Sequence, residues 1–521
     1  MSEYGIGKRV LRVEDRRFLT GAGRYVGDIV LPRQAFGAVV WSPHAHARIR
    51  AIATARAEAQ PGVLCVLTGT DATAGGLGGL VPFTLPEHAG GPKAYVTEWL
   101  PLARDRVRCV GDRVAFVVAE TPEAARDAAE LVEVAYEPLS CVTTAEDAAS
   151  AAAPLVWDDC AGNLCFTLET GDKEATTAAF ARAAHVVSLT LRSQRVSPNP
   201  LEPRAAIGAH AAADDDYTLY TGSQNPHGVR SMLAEAVFHI PETRLRVVAP
   251  DVGGGFGMKA NAYPEDALVL WAARRCGRPV KWVATRAESL AADNHGRDQV
   301  ARARLALDAD GRILALAVEA LHGLGAYLQS AATSPVITAA RMMPSVYRVP
   351  ALHIVSKAVF TNVSPIGVYR GAGRPEANYV VERLLDRAAA VLGIDPVALR
   401  RRNLVQTQAI PHRTVTGAVY DSGDFAAALD RALALADWPG FAARRAASEA
   451  KGRRRGRAVG CYIERGGVTN DRMELRFDPS GAVTILAGTH SHGQGHATTY
   501  AQMVAEWLGV PFESIRFLQG D

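Results

Sequence analysis

The stretch RLRVVAPDVGGGFGMKANAYPEDALVLWAARRCG (residues 244–277) carries the sharpest local signals in the chain. Residues 245–249 have the apolar character of a buried strand, and a glycine-rich loop, 253–257, follows. Pro264 with two acids after it indicates the first turn of a helix, and Gly277 after two arginines indicates its end. The pattern therefore predicts a strand, a loop and a helix within an α/β fold.

The loop itself is a candidate binding segment. Its glycines and single aromatic residue are Gly253, Gly254, Gly255, Phe256 and Gly257. Glycines let the backbone approach a bound group closely and turn N–H donors toward it. Met258 breaks both the Walker pattern and the Rossmann pattern of nucleotide-binding loops. The loop is therefore either a ligand-binding segment of another kind or a turn that serves only packing.

Three further segments combine glycines with polar side chains. They are SQNPHG (223–228), SPIGVYRGAGRPEANY (364–379) and HSHGQGHATT (490–499). Arg370 precedes a glycine pair, where a guanidinium either binds an anionic or oxo-rich ligand or pairs with a surface carboxylate. His492 and His496 have the spacing of metal ligands on one helical face, but two intervening glycines disfavour that helix. Solvated or core histidines are therefore favoured over a zinc site.

The composition excludes several classes of protein. The chain has 521 residues and a net charge of only +3, so it lacks the positive field expected of a nucleic-acid-binding protein. Its 7 cysteines are scattered and match neither a disulfide framework nor an iron–sulfur ligand set. No apolar run predicts a membrane span, and the first residues do not resemble a signal peptide. A cytoplasmic location is expected.

The first 150 residues alternate strand and helix signals. RVAFVVAE (113–120) is typical of a buried strand, and Thr121 followed by Pro122 predicts a capped helix start. VEVAYE (132–137) then alternates as a half-buried strand does. These signals predict a β-α-β pattern in a first domain at 1–150.

A second region, 165–440, follows a weakly patterned linker at 151–164 and mixes strands with helices. Its clearest helix is predicted to begin near Arg374 and to end before Gly393. The basic run KGRRRGR (451–457) is interpreted as a solvated connector. The last part, 459–521, is predicted to form strand, strand, helix and strand. We expect the sequence to end inside a domain, because so short a part would be only marginally stable alone.

The four loops in this order resemble the molybdenum-binding large subunit of the xanthine dehydrogenase, aldehyde oxidase and carbon monoxide dehydrogenase family. RRFLTGAGRYVGDIVLP (16–32) and VGDRVAFVVAETPEAARDAAELVEVAYEPL (110–139) resemble the start and end of its α/β hammerhead domain. The resemblance implies an α/β (α+β) fold. Its parts would be the hammerhead domain at 1–150, a first molybdenum cofactor-binding domain at 165–440 and the incomplete start of a second at 459–521.

The resemblance also implies a cofactor, molybdopterin cytosine dinucleotide with molybdenum. Gln224 would hydrogen-bond an oxygen on the molybdenum, and Arg370 would act with it in catalysis. The residues implied to line the metal are Gln224, Gly254, Gly255, Phe256, Gly257, Arg370 and Gly371. Those implied to bind the pterin dinucleotide are Gly493, Gln494 and Gly495.

The reaction implied by the resemblance is oxidation of a small aldehyde or N-heteroaromatic molecule with water-derived oxygen. Because the chain has no cluster cysteines, electrons would leave through partner chains. These would be an iron–sulfur small subunit and an FAD-containing medium subunit, assembled as a dimer of heterotrimers. No nucleic-acid partner and no membrane span are expected.

Three departures from the family pattern narrow this expectation. Gly371 replaces the copper-binding cysteine of carbon monoxide dehydrogenases, so carbon monoxide oxidation is not expected. Ala260 and Ala372 replace a glutamate and an aromatic residue of xanthine dehydrogenases, so their purine recognition is not expected. The family's catalytic glutamate belongs to a segment beyond GQG, and no glutamate in 1–521 matches it. We expect little turnover from this chain alone; the alternative is a non-catalytic fragment or cofactor-holding assembly protein of the same fold.

Overall fold

A computed structural model describes residues 4–83, 85, 93–464, 466 and 471–521. The fold is mixed α/β, with two large sheets of seven and five strands and three small sheets among the described residues. The strands are β1 (Ala35–Trp41), β2 (Ala47–Ala53), β3 (Val63–Thr68), β4 (Arg106–Val107), β5 (Arg113–Ala119), β6 (Glu133–Pro138), β7 (Leu164–Gly171), β8 (His185–Ser193), β9 (Ala205–Ala211), β10 (Asp216–Thr221), β11 (Leu245–Val248), β12 (Val280–Val283), β13 (Gln299–Leu307), β14 (Ile313–Gly323), β15 (Ala351–Val359), β16 (His412–Arg413), β17 (Val419–Tyr420), β18 (Met473–Phe477), β19 (Val483–Ala487) and β20 (Ile515–Leu518).

The described residues also form α-helices. They are α1 (Val13–Leu19), α2 (Ala55–Glu58), α3 (Gly69–Ala74), α4 (Pro122–Ala129), α5 (Ala145–Ala148), α6 (Lys173–Ala181), α7 (Pro226–Ser231), α8 (Pro264–Cys276), α9 (Arg286–Ala292), α10 (Thr333–Met342), α11 (Arg374–Leu392), α12 (Pro396–Asn403), α13 (Phe425–Leu435), α14 (Phe441–Glu449) and α15 (His496–Leu508). A π-helical segment, Met232–Phe238, continues α7. None of these helices has both the length and the apolar character that crossing a bilayer requires.

The seven-stranded sheet has the order β11-β10-β9-β12-β1-β5-β3. Strands β1, β3 and β5 come from the amino-terminal region, whereas β9 to β12 come from 205–283. The two sets meet where β1 pairs in parallel with β12, with Ala35 opposite Val280. Helix α8 packs on β9, β10 and β12. The amino-terminal region and the region carrying the glycine loop therefore share one sheet and one core.

The predicted strand, helix and strand at 113–137 are all present as β5, α4 and β6. Thr121 caps α4, since its hydroxyl accepts the Ala124 N–H at 3.1 Å. However, β6 pairs with β2 in a separate three-stranded sheet of order β4-β2-β6. The two strands therefore do not form one β-α-β unit, because α4 connects two sheets.

The five-stranded sheet, β7-β15-β14-β13-β8, carries helices on both faces. Alternate residues of β13 point to opposite faces, so Leu305 packs in the core beneath α11 while Ala306 packs near α6. Helix α11 begins at Arg374 and ends before Gly393, as the sequence predicts, and Gly393 has a φ of 67°. This helix starts directly after the Arg370 loop and fixes its position.

The segment 151–164 is packed rather than free. Asn163 is fully buried, its side-chain oxygen accepts the Val156 N–H at 2.8 Å, and its amide donates to the carbonyls of Ala148 and Pro154. The basic run 451–457, in contrast, is exposed along its whole length.

The carboxy-terminal region has the predicted order, with β18, β19, α15 and β20 in sequence. Residues 459–464 before it form no strand. The region contacts the rest of the chain where the Ala249 N–H donates to the Gly520 carbonyl at 2.7 Å. The Thr498 hydroxyl also donates to the buried Glu14 carboxylate at 2.5 Å. These contacts bring the loop at 490–496 beside the end of β11, where the glycine loop begins.

Candidate functional site

The loops singled out from the sequence come together around Gln224 and Phe256. The Gly257 N–H donates to Gln224 Oε1 at 2.8 Å, and Gln224 Nε2 lies 3.0 Å from His492 Nε2. The Arg370 N–H donates to the Phe256 carbonyl at 2.9 Å. Four segments far apart in sequence are thus joined through direct hydrogen bonds into one site.

The glycine loop needs its glycines for two geometric reasons. Gly254 and Gly257 have φ values of 93° and 97°, in the left-handed region that side chains disfavour. A Cβ on Gly255 would lie 2.3 Å from Gln224 Oε1, so only glycine allows this amide to approach. Phe256 also adopts a positive φ of 55°, and the residue is 39% exposed. The loop therefore presents one aromatic ring beside bare backbone.

A buried ion pair fixes both ends of the glycine loop. Glu202 Oε2 accepts the Gly253 N–H at 2.7 Å and the Lys259 ammonium at 2.8 Å. Lys259 is 2% exposed, and burial lowers its pKa while the charge of Glu202 opposes that change. Sequence reasoning missed this pair, because no local pattern connects NPLEPR at 199–204 with the loop.

Below the loop, two adjacent carboxylates at the start of α8 lie in opposite environments. Glu265 is fully buried and receives hydrogen bonds from Arg113 and Arg204, each at 2.7 Å. Burial would raise the pKa of Glu265, but the charges of Arg113 and Arg204 outweigh it and lower this pKa to about 2. Burial raises the pKa of Asp266 to about 6, although Thr221 donates to it. The site thus rests on a buried charged junction between β5, β9 and α8.

The Arg370 loop is held from behind by another arginine. Arg297 donates to the Tyr369 carbonyl at 3.1 Å and to the Arg370 carbonyl at 2.7 Å. Gly371 has a φ of 93°, and a Cβ there would lie 2.6 Å from Pro375 Cγ. Arg297 is a second positioning residue that the sequence did not reveal.

Side-chain amides organise the histidine loop. Gln494 Oε1 accepts the His492 N–H at 2.6 Å, and Gln494 Nε2 lies 3.2 Å from His492 Nε2. Helix α15 begins only at His496, so His492 and His496 do not share a helical face. Within the described ranges no group of three potential ligands is placed to hold a metal ion.

A cavity of about 360 Å³ opens beside Arg370 and Gly371. Its apolar lining comprises Met342, Pro375, Tyr462 and Ile463, and its polar lining comprises Ser345, Arg374, Asn378 and Glu464. Met342, an apolar residue whose place in a pocket or in the core the sequence alone leaves open, lines this cavity. Tyr327 is buried elsewhere and donates to Asp112 at 2.8 Å.

The arrangement fits a large ligand rich in oxygen and nitrogen atoms. A Cβ on Gly493 would meet no atom within 4 Å, so space is open above this loop. His496 Nδ1 is buried without a hydrogen-bond partner among the described residues. Gln224 retains amide hydrogen-bonding capacity, because its Nε2 carries two hydrogens and has one partner there. Unpaired donors beside open backbone are what a pterin cofactor with its phosphates and oxo groups requires.

Three family models match the chain. One described as "Aldehyde oxidase and xanthine dehydrogenase, a/b hammerhead domain" matches residues 20–140. Models described as "Molybdopterin cofactor-binding domain" match 156–404 and 431–521. Together with the relatives below, they show that the chain belongs to the family of molybdenum-binding large subunits of the xanthine dehydrogenase type.

Among curated relatives, the nicotine 6-hydroxylase large subunit of Paenarthrobacter nicotinovorans is 35% identical over 98% of this chain and 63% of its own length. The carbon monoxide dehydrogenase large chain of Hydrogenophaga pseudoflava is 36% identical over 99% of this chain and 67% of its own length. The chain thus spans about two thirds of the length of these relatives.

Solved structures agree with this assignment. Quinoline 2-oxidoreductase from Pseudomonas putida 86 superposes with a TM-score of 0.91 at 36% identity, covering 99% of this chain and 66% of the other. The Cu,Mo-CO dehydrogenase in its carbon monoxide-reduced state gives 0.89 at 33% identity, with coverage of 99% and 68%. The resemblance stated from the sequence is confirmed, and so is its mixed α/β fold with hammerhead and molybdopterin-binding domains.

Proposed function

We propose that this chain is the large subunit of a molybdenum hydroxylase that oxidises an aldehyde or an N-heteroaromatic molecule with oxygen from water. The observation that carries the proposal is the joining of four loops, three of them at Gln224 through Gly257 and His492 and the fourth through the contact of Arg370 with Phe256. A turn that serves only packing would need neither a glycine against the Gln224 amide, as at Gly255, nor an exposed aromatic residue, as at Phe256.

The proposed cofactor is molybdopterin cytosine dinucleotide with molybdenum. When bound, it would supply the redox chemistry at the substrate carbon. Gln224 would donate its second amide hydrogen to an oxygen of the metal centre, since the first points to His492. Glycine-loop residues 254–257 and Gly371 would offer backbone contacts, and Gly493, Gln494 and Gly495 would bind the pterin dinucleotide. Phe256 would exclude water from this space.

The cavity beside Arg370 is the proposed substrate pocket. Its volume of about 360 Å³ lies in the range of small-molecule sites. Tyr462, Ile463 and Met342 supply apolar surface suited to an aromatic ring, and the exposed Arg370 is among the lining residues. Both substrate classes expected from the sequence fit this combination, and two relatives are named for nicotine and quinoline.

A copper site like that of the carbon monoxide dehydrogenases is not part of the proposal. Gly371 adopts a left-handed φ, and any Cβ there would collide with Pro375. A thiol at this position would therefore require the loop to move.

The proposal includes partner chains and a location. The matched relatives carry names such as "large subunit" and "large chain", which supports assembly with an iron–sulfur small subunit and an FAD medium subunit, as a dimer of heterotrimers. All 7 cysteines are free, which supports a cytoplasmic location. The proposed domain division is 1–150, 165–440 and 459–521. The matched ranges 20–140, 156–404 and 431–521 support its order, although the last of them begins before residue 459 and β1 and β12 share a sheet. A non-catalytic assembly protein is not favoured by these relatives.

The test is oxidation by the native protein, purified with its co-purifying chains. N-heteroaromatic compounds and aromatic aldehydes are offered in ¹⁸O-labelled water with an artificial electron acceptor. We expect ¹⁸O in the product and a loss of turnover in Gln224→Ala. The remote surface variant Arg445→Lys is the matched control and keeps full turnover.

Product oxygen that comes from O₂ rather than water would contradict the proposal. So would a purified complex that contains no molybdenum and oxidises no compound of either class. Equal turnover in Gln224→Ala and wild type would remove Gln224 from the proposed site.

A further inference from the structure

His492 lies between two side-chain amides whose orientations are set independently. Gln224 Oε1 accepts the Gly257 N–H at 2.8 Å. Gln494 Oε1 accepts the N–H of His492 itself at 2.6 Å. Because a backbone N–H only donates, each of these contacts must be to the amide oxygen. The nitrogen of each amide is therefore the end that faces the imidazole.

Both amide nitrogens approach the same ring atom. Gln224 Nε2 lies 3.0 Å and Gln494 Nε2 lies 3.2 Å from His492 Nε2. An amide NH₂ has only hydrogens to offer, so His492 Nε2 must supply a lone pair. A hydrogen on Nε2 would bring three N–H donors together, one from the ring and two from the amides, with no acceptor among them. The ring proton therefore belongs on Nδ1, and the ring is neutral.

The surroundings agree with a neutral ring. Burial and, after it, the charges of His490, His496 and Lys259 together lower the pKa of His492 to about 4. The Lys259 carbonyl accepts the Gln224 N–H at 2.8 Å, while its ammonium pairs with Glu202. A charged imidazole at His492 would therefore gain no carboxylate partner from this ion pair.

We propose that His492 is a positioning residue, whose Nε2 lone pair fixes the orientation of the Gln224 and Gln494 amides for the cofactor. It connects the loop that would contact the metal with the loop that would bind the pterin dinucleotide. The part of the inference that concerns the cofactor rests on the proposed function. The tautomer of His492 and its two amide contacts are properties of the protein alone.

The first experiment needs no cofactor. The ¹⁵N chemical shifts of the histidine rings are measured in the cofactor-free protein, and His492 is assigned by comparison with His492→Phe. We expect a protonated Nδ1 and an unprotonated Nε2 at neutral pH. A protonated Nε2, or a doubly protonated ring, would overturn the inference whether or not the proposed function holds.

The second experiment compares two substitutions at one position. His492→Gln places a carbonyl oxygen near the former Nε2, whereas His492→Phe keeps the ring shape without an acceptor. We expect His492→Gln to retain most of its molybdenum and pterin, and His492→Phe to lose roughly tenfold or more in cofactor affinity. The thermal midpoints of the cofactor-free variants show whether either substitution disturbs the fold.

The outcomes separate the two claims. Equal cofactor content in His492→Gln and His492→Phe overturns the positioning role. Rescue by glutamine with unchanged thermal midpoints supports it, since a purely structural role would not depend on the acceptor. Wild-type protein that takes up no cofactor overturns the proposed function, and with it the purpose of His492.

Discussion

The glycine loop and the histidine loop form two walls of one site, but they are held in different ways. The glycine loop lies between β11 and α8 and is anchored by buried charges, Glu202 with Lys259 and Glu265 with Arg204. The histidine loop is held beside Gln224 by neutral hydrogen bonds, among them the one that the Gln224 amide donates to His492. The position of the glycine loop therefore depends on ion pairs in the core, while that of the histidine loop depends on the orientation of amides and an imidazole.

The largest expected effect is on the charged wall. Glu265→Gln removes the buried carboxylate that neutralises Arg113 and Arg204. Because the two guanidinium groups stay buried without it, we expect the free energy of unfolding to fall by about 3–5 kcal/mol. Chemical denaturation of the cofactor-free protein measures this loss of unfolding free energy. The control is Glu449→Gln in the exposed pair with Arg445, where we expect no more than about 1 kcal/mol. Equal losses in the two variants would contradict the buried junction.

The next effect is a pH dependence from the neighbouring carboxyl. The pKa of Asp266 is raised from 3.8 to about 6, so its stabilising contribution is complete below pH 3.8 and is lost as the pH rises through 6. A shift of this size corresponds to roughly 3 kcal/mol.

Substitution of this carboxyl provides the check. Asp266→Asn should flatten the change in unfolding free energy between pH 4 and pH 6, relative to wild type, because the amide does not titrate. Glu265 acts with the opposite sign, since its pKa of about 2 removes stability as the pH falls below 4.5. An unchanged pH profile in Asp266→Asn would show that the carboxyl is not desolvated.

The smallest effect concerns the Arg370 loop. Arg297→Lys exchanges a fork that reaches the Tyr369 and Arg370 carbonyls for a single ammonium. We expect a loss of about 1–2 kcal/mol in stability together with lower molybdenum content. The exposed Arg302→Lys on β13 is the control in the same assays. Full molybdenum content in Arg297→Lys would show that the loop needs no such support.

Much of the fold was predictable because its signals are local. Pro264 and Gly277 delimit α8, and Arg374 and Gly393 delimit α11, through caps and breakers that act within one turn. The shared sheet was not predictable, because the pairing of Ala35 with Val280 depends on packing between distant segments.

The residues of the candidate site likewise divide into those that local sequence signals reveal and those that only the folded structure reveals. The loops with Gln224 and Arg370 were found from glycine spacing and family resemblance. Glu202 and Arg297 were missed, because each acts on a backbone segment far away in sequence and belongs to no motif. His492 was noticed only as a possible metal ligand, since its role depends on how two glutamine amides are oriented in space.

The most direct test of the central claim is a crystal structure of the purified protein with data collected at the molybdenum absorption edge. We predict an anomalous peak between the glycine loop and the Arg370 loop, within reach of the Gln224 amide through one bound oxygen. A peak elsewhere in the chain, or none in protein that is active on these substrates, would contradict the account.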